Sequence, residues 1–424
     1  MNNLKYIVWI FLSVCLLGAC TETDRSGDMP VPIETYIVTP IHGGAIITYQ
    51  IPTTHNILFV MVEYERNGKV FTERSSIYKN SITIEGFNTT DPVSATLYTV
   101  SRDDEIKSDP INVVFTPLES PISLTGKSTV IVDNFGGIVV SWENTSKIEL
   151  GVRLMVMEEG VMVDKDIYFS NTEYEKHPFR GFENIETTFA LVFEDKWGNV
   201  SDTLYHTGIP YLETEVEKPW VDMRGFIPYD NVSNNGNYTF NKIWDGVLRI
   251  AGNTCSYLSV SGQPGNSVTF DLKQVVKLSR MIFWMCWYDG NPVTNVFTTC
   301  NITEFEMWGT KEIDNDKLAD RSYWLHPFSA AQTGETLPEH TFMDDWVYLG
   351  RYEMERLDLL GASVDVMEFY CGGGWAFDIP IECDPVRYIR FFPLRTANGG
   401  SPPVNNYWWI AELSFFGDNT VSQE

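Results

Sequence analysis

From residue 30 onward the chain is written mostly in period-two alternation, the pattern of strands with one buried face. Ala45, Ile47 and Tyr49 share one face of a strand that opens at Gly43-Gly44, and Ile138, Val140 and Trp142 repeat the arrangement after Gly136-Gly137, 93 residues later. A second strand follows in each copy: Val60, Val62 and Tyr64 alternate before Asn67-Gly68, as Val152, Leu154 and Val156 do before Glu159-Gly160. Each pair predicts a tight hairpin. Leu97 to Val100 then runs into Asp103-Asp104, and Phe189 to Phe193 into Glu194-Asp195 and Trp197-Gly198-Asn199. Seams at Thr116-Pro117 and Ile209-Pro210 close the copies, which predicts modules over 33–117 and 118–213. Further runs at 267–272, 278–288, 304–308, 386–393 and 409–416 predict a third, all-β domain over 214–419.

The first twenty residues read differently. Lys5 precedes an apolar stretch from Tyr6 to Leu17, which as a helix reaches about 18 Å against the roughly 30 Å of a hydrocarbon core. A cleaved secretory signal over 1–19 is the expectation. Leu17-Gly18-Ala19-Cys20 resembles the bacterial lipobox, which implies cleavage before Cys20 and lipidation of that cysteine; the alternative is an ordinary signal peptide with an incidental cysteine. Residues 20–32, with Glu22, Asp24 and Asp28, read as a tether and resemble the export signals of surface lipoproteins in glycan-foraging Gram-negative bacteria.

Composition narrows the function classes. Aromatic residues at 14% against 21% charged argue for folded, β-rich structure, and a net charge of −27 argues against a nucleic-acid partner. Seven cysteines make no C-x-x-C pair or zinc spacing. Cys286 and Cys300 flank the Asp289 loop and either staple it or stay as buried thiols. Gly126-Lys127-Ser128 looks like the end of a phosphate-binding loop, but Pro121 stands where its first glycine belongs, so it reads as a turn. No H-e-x-x-H, G-x-S-x-G or Cys/His signature is present.

The strand order of the two copies, with Tyr49 and Trp142 as the aromatic plugs, resembles the fibronectin type III sandwich. In the third domain, Lys242-Ile243-Trp244-Asp245-Gly246, Ser267 to Leu272, Leu278 to Phe283, Phe305 to Thr310, Arg387 to Phe391 and Ile410 to Gly417 resemble, in order, segments of the discoidin (coagulation-factor C-type) jelly roll. Lys311 to Tyr348 is longer than that fold needs. The expected fold class is all-β: two Ig/fibronectin type III-like sandwiches followed by a discoidin-like jelly roll. This arrangement resembles surface lipoproteins encoded beside carbohydrate-uptake systems. The resemblance implies a non-catalytic outer-membrane protein that binds a polysaccharide or oligosaccharide, with a glycan transporter as further partner. A glycoside hydrolase and a protein-binding adhesin stand as alternatives.

Sugar recognition needs an aromatic face for C–H groups and paired donors and acceptors for hydroxyls. Three loop segments combine them: Trp287, Tyr288, Asp289 and Asn291; Trp375 after Gly372-Gly373-Gly374; and Arg395, Asn398, Asn406 and Tyr407. Core packing is the competing reading for Trp287 and Trp375. The discoidin resemblance also implies a structural Ca²⁺ held by Asp245 and Glu412, whose alternatives are a turn cap and a surface carboxylate.

Overall fold

The structure, a computed structural model, describes residues 29–421 except 54–55, 103–104, 233–235, 249–255, 260–266, 288–292, 299 and 398–406. The 1–19 leader, Cys20 and most of the tether lie outside the described residues. Among the described residues no helix is long and apolar enough to cross a membrane. It is an all-β protein.

The first module pairs β1 (Tyr36–Ile41), β2 (Gly44–Tyr49) and β5 (Ser81–Ile84) in one sheet. β4 (Lys69–Ser76), β3 (Ile57–Arg66), β6 (Val93–Ser101) and β7 (Ile111–Phe115) make the other. Ala45, Ile47, Tyr49, Val60, Val62 and Tyr64 all enter one buried cluster, the faces that alternation marked. At the β3–β4 hairpin Asn67 and Gly68 take φ of 52° and 72°, the left-handed pair that a two-residue type I′ turn requires.

Residues 121–128 are not a turn. They form α1 (Pro121–Ser128), with Pro121 in its first turn and Ser120 Oγ accepting from Ser123 N at 3.3 Å. Only Ile122 and Thr125 are buried along it, too short an apolar stripe to register as helical periodicity.

In the second module, one sheet is β11 (Val161–Ser170), β10 (Leu150–Glu158), β13 (Thr187–Asp195) and β14 (Leu204–Gly208). The other is β12 (Tyr174–Arg180), β9 (Gly137–Glu143) and β8 (Val130–Asn134). Trp142 is buried, with its ring edge-on to Phe193 at 5.7 Å and Tyr168 at 6.2 Å. The chain divides into two compact units. One runs to Ile131 and takes in Val140–His177 and Thr187–Thr207; the other takes in Val132–Val139, Pro178–Glu186 and the described residues from Gly208 on.

The third domain lies within the second unit and is organised by β18 (Val268–Trp284), one 17-residue strand where alternation suggested two. Its first part pairs with β22 (Val386–Thr396), and its second part with β24 (Glu412–Asp418) and β21 (Trp375–Asp378). Between them Lys273 takes φ 66° and the β22 register shifts from Asp271 to Val276, so the strand bends and serves two layers. β19 (Ile302–Thr310) and β20 (Val347–Glu353) extend the β22 side. Phe270, Phe283, Phe305, Phe391, Trp408 and Phe415 belong to the main core.

The long stretch after β19 builds a second apolar cluster. Tyr323, Trp324, Phe342 and Trp346 join Ile227 and Tyr229, and Trp308 of β19 and Tyr388 of β22 pack against them. Two short helices, α2 (Pro327–Thr333) and α3 (Phe342–Asp345), shape it; Thr341 and Asp344 cap α3 reciprocally. Arg390 of β22 sits inside this cluster, fully buried, its guanidinium 5.2 Å from the Trp324 ring and 4.4 Å from that of Phe342. Nη2 donates to Pro228 O and Ser267 Oγ, each at 3.1 Å, and lies 3.8 Å from Asp230. Burial pulls the guanidinium down to about 10 while Asp230 opposes it, so it stays charged at neutral pH.

Truncating one member of a buried ion pair typically costs about 3–5 kcal/mol because the other charge is left uncompensated, whereas neutralising both members with side chains of similar volume costs much less. Arg390→Ala is therefore expected to lose stability on that scale, and the double variant Arg390→Met with Asp230→Asn clearly less, as read by chemical denaturation. Equal losses for the two would show that pairing Arg390 with Asp230 contributes nothing.

Candidate functional site: a cleft on the outer face of the sheet

The residues that sequence marked as a loop site do not assemble as one surface among the described residues. Trp375 is buried in the main core, edge-on to Phe297 at 6.2 Å. Trp287 packs half-buried against the same core. Gly374 has φ 78°, and a Cβ there would meet Trp284 at 2.8 Å, so this glycine serves close packing. Tyr407 is exposed, while Tyr288, Asp289, Asn291, Asn398 and Asn406 lie outside the described residues. Cys286 is buried and Cys300 half-buried.

Arg395 lies elsewhere, on the rim of a cleft of about 620 Å³ over β19, β20 and β22. Strand register builds this cleft. Glu304, Glu306 and Trp308 alternate along β19, pointing away from the core that takes Phe305 and Met307. Trp308 stands opposite Tyr348 on β20, their rings 4.6 Å apart, and Glu306 stands opposite Arg351. Tyr348 and Arg351 are three residues apart, which in a regular strand puts them on opposite faces. A bulge at Leu349-Gly350 inserts the extra residue that brings both to the cleft. There Gly350 has φ 134°, and a Cβ would lie 2.6 Å from Tyr352 Oη. A second register shift sets Glu304 opposite Arg395 but Phe305 opposite Pro393, and so carries Arg395 to the same face.

The polar floor is a chain of alternating charges. Glu304, almost fully buried, accepts from Arg351 Nε at 2.8 Å and also from Arg351 Nη2, while its other oxygen lies 3.1 Å from Arg395 Nη2. Glu306 takes His326 Nε2 at 3.1 Å, and its other oxygen lies 3.8 Å from Arg351 Nη1. Burial pushes the Glu306 carboxyl up, but His326 and Arg351 outweigh it and hold the group below the usual range. His326 Nδ1 accepts from Phe328 N at 3.1 Å, so Nε2 carries the proton, and its ring stacks on Phe392 at 3.9 Å. Both nitrogens are thereby occupied. Phe328 and Met343 add apolar wall from the insertion.

A second cleft of about 640 Å³ lies beside Phe226, Ile313, Leu318 and Tyr388. Its guanidinium, Arg387, is locked on Asp271 by two bonds of 2.7 and 2.8 Å.

Asp245 and Glu412 do come close: Gly246 N donates to Glu412 Oε2 at 3.0 Å. Each carboxylate already holds an ammonium, Lys242 Nζ on Asp245 at 2.8 Å and Lys218 Nζ on Glu412 at 2.5 Å. Lys218 also donates to Ser414 Oγ at 2.9 Å. As arranged, the pair does not fit a calcium ion, which would have to displace both amines.

Against this geometry, three family models match, each described as a domain of unknown function: DUF4959 over 30–117, DUF5126 over 118–219 and DUF5000 over 244–417. No curated protein matches. Among solved structures, the chain is similar to a SusE-like protein at 19% identity, covering 70% of this chain and 98% of that one with a TM-score of 0.39. A family 89 glycoside hydrolase from Clostridium perfringens, in complex with PUGNAc, matches at 12% identity over 49% of this chain and 15% of its own, TM-score 0.27. A two fibronectin type-III domain segment from chicken tenascin matches at 12% identity over 42% and 99%, TM-score 0.22.

Two outcomes follow. Trp375→Ala should cost about 3–5 kcal/mol of folding free energy, the scale for a large core aromatic; a melting transition like the parent's would place the side chain outside the core. Neither calcium nor EDTA should move the melting temperature of the parent protein, and a calcium-dependent rise would show that the ion displaces Lys218 and Lys242.

Proposed function

We propose that this chain is a non-catalytic glycan-binding lipoprotein of the bacterial cell surface. Lipid on Cys20 holds it to the outer membrane, the two sandwiches act as spacers, and the third, discoidin-like domain carries the saccharide site. The observation that supports this reading best is the cleft itself: the Trp308–Tyr348 wall stands beside fixed guanidinium donors and carboxylate acceptors, the pairing that a sugar's C–H face and hydroxyls demand. The site sits on strands rather than on the loops first expected, with Arg395 common to both placements. A binding role also fits the state of the acids. Glu304 and Glu306 are held by cations and both nitrogens of His326 are engaged, and the Glu306 carboxyl lies below the usual range, whereas a proton donor needs it raised. Handing captured glycan to an outer-membrane transporter completes the proposal, many anchored copies gaining avidity through effective concentration.

Tyr348, 46% exposed, is the residue to truncate. Tyr348→Ala should weaken binding in a glycan array and subsequent titration by about 1–3 kcal/mol with little change in melting temperature. Sugar release by the parent protein would overturn the non-catalytic reading, and unchanged affinity of the variant would move the site. For the anchor, Cys20→Ala should abolish labelling by radioactive palmitate; persisting label would remove the lipobox assignment.

A further inference from the structure

We infer that the cleft selects neutral sugars and rejects uronic or sulfated ones. This rests on the glycan-binding reading above and adds the charge class of the ligand. Two guanidiniums in a sugar site ordinarily point to a carboxylate or sulfate, which Arg binds with two parallel bonds. Here their charge is already balanced. Glu304 accepts from Arg351 on one oxygen and faces Arg395 on the other, and Arg395 Nη1 lies 3.7 Å from Glu353. Arg351 is shared further with Glu306 at 3.8 Å. Counting the floor and rim, two cationic side chains face three carboxylates, and His326 adds no charge because its Nδ1 accepts a backbone N–H. An incoming anion meets no unbalanced positive charge, and the chain as a whole carries −27.

What remains on offer is neutral chemistry. A guanidinium has five N–H donors, more than its carboxylate partners take up, and Arg351 and Arg395 have side chains 55% and 53% exposed. Adjacent hydroxyls on a pyranose are donor and acceptor at once, and they match an arginine with its carboxylate side by side. The Trp308–Tyr348 wall takes the ring's C–H face. A neutral hexose with vicinal hydroxyls satisfies all of these groups without breaking an ion pair.

Affinity gel electrophoresis of the whole protein tests this with two sets of polymers: neutral glucans, galactans, mannans and xylans, and anionic polygalacturonate, alginate and carrageenan. Retardation by at least one neutral polymer is expected, changing less than about twofold between low and high salt, with no retardation by the anionic set. Retardation by an anionic polymer that fades with salt overturns the charge assignment while leaving glycan binding standing. Silence across both sets overturns glycan binding, and the charge assignment with it. Glu304→Gln should create retardation by polygalacturonate at low salt, because both guanidiniums lose their counter-charge. Should that buried change unfold the domain, Glu353→Gln, whose side chain is 67% exposed, should act in the same direction and more weakly. Folded variants that still reject polygalacturonate would sink the electrostatic argument.

Discussion

The third domain depends on a fully buried arginine. Arg390 leaves β22 on the face opposite the main core, where a strand of an ordinary two-layer fold meets solvent, and it is covered completely. Its contacts with Pro228, Ser267 and Asp230 on one side, and with the rings of Trp324 and Phe342 on another, join pieces far apart in sequence. Desolvating a guanidinium is costly, and Nε and Nη1 find no hydrogen-bond partner among the described residues, so aromatic faces stand in for part of the lost hydration. The stretch after β19 packs around that charge through Trp324 and Phe342. Fixing it there sets the cleft wall, because His326, Phe328 and Met343 belong to the same insertion.

Two kinds of order meet in the cleft. The aromatic wall comes from direct cross-strand opposition, Trp308 with Tyr348, which needs only the pairing of β19 with β20. The charge chain needs more, since Arg351 and Arg395 reach it through register shifts in two flanking strands. Each cation then restrains the carboxylate beside it, leaving polar groups at defined positions before a ligand arrives. Under the proposed role, that preorganisation would lower the entropic cost of binding a flexible saccharide.

Much of the architecture was legible in the sequence because buried alternation leaves a direct trace: the faces of β2, β3, β9 and β10 follow the marked residues one by one. The site was not. Trp308 lay in a strand whose aromatics read as core, and the arginines opposite Glu304 and Glu306 are far away in sequence, where pairing is invisible without register. A strict period of two even puts Tyr348 and Arg351 on different faces. Trp375 is core rather than loop surface for a related reason: a glycine run before a tryptophan has the same spelling whether the glycines admit a ligand or a neighbouring indole, and here Gly374 faces Trp284. The available signal was the unexplained length of the stretch after β19, which supplies His326, Phe328 and Met343 to the cleft.

The bulge at Leu349-Gly350 has an evolutionary reading. Adding a further residue to β20 between Tyr348 and Arg351 would turn Arg351 toward the core while leaving Tyr348 in the cleft, whereas removing the extra one would keep both on the same face at a regular spacing of two; no single substitution does either. Which side chains line such a cleft is therefore set partly by strand length. Descendants of one ancestral sheet can diversify by gaining or losing single codons at its margins, with the buried face unchanged throughout.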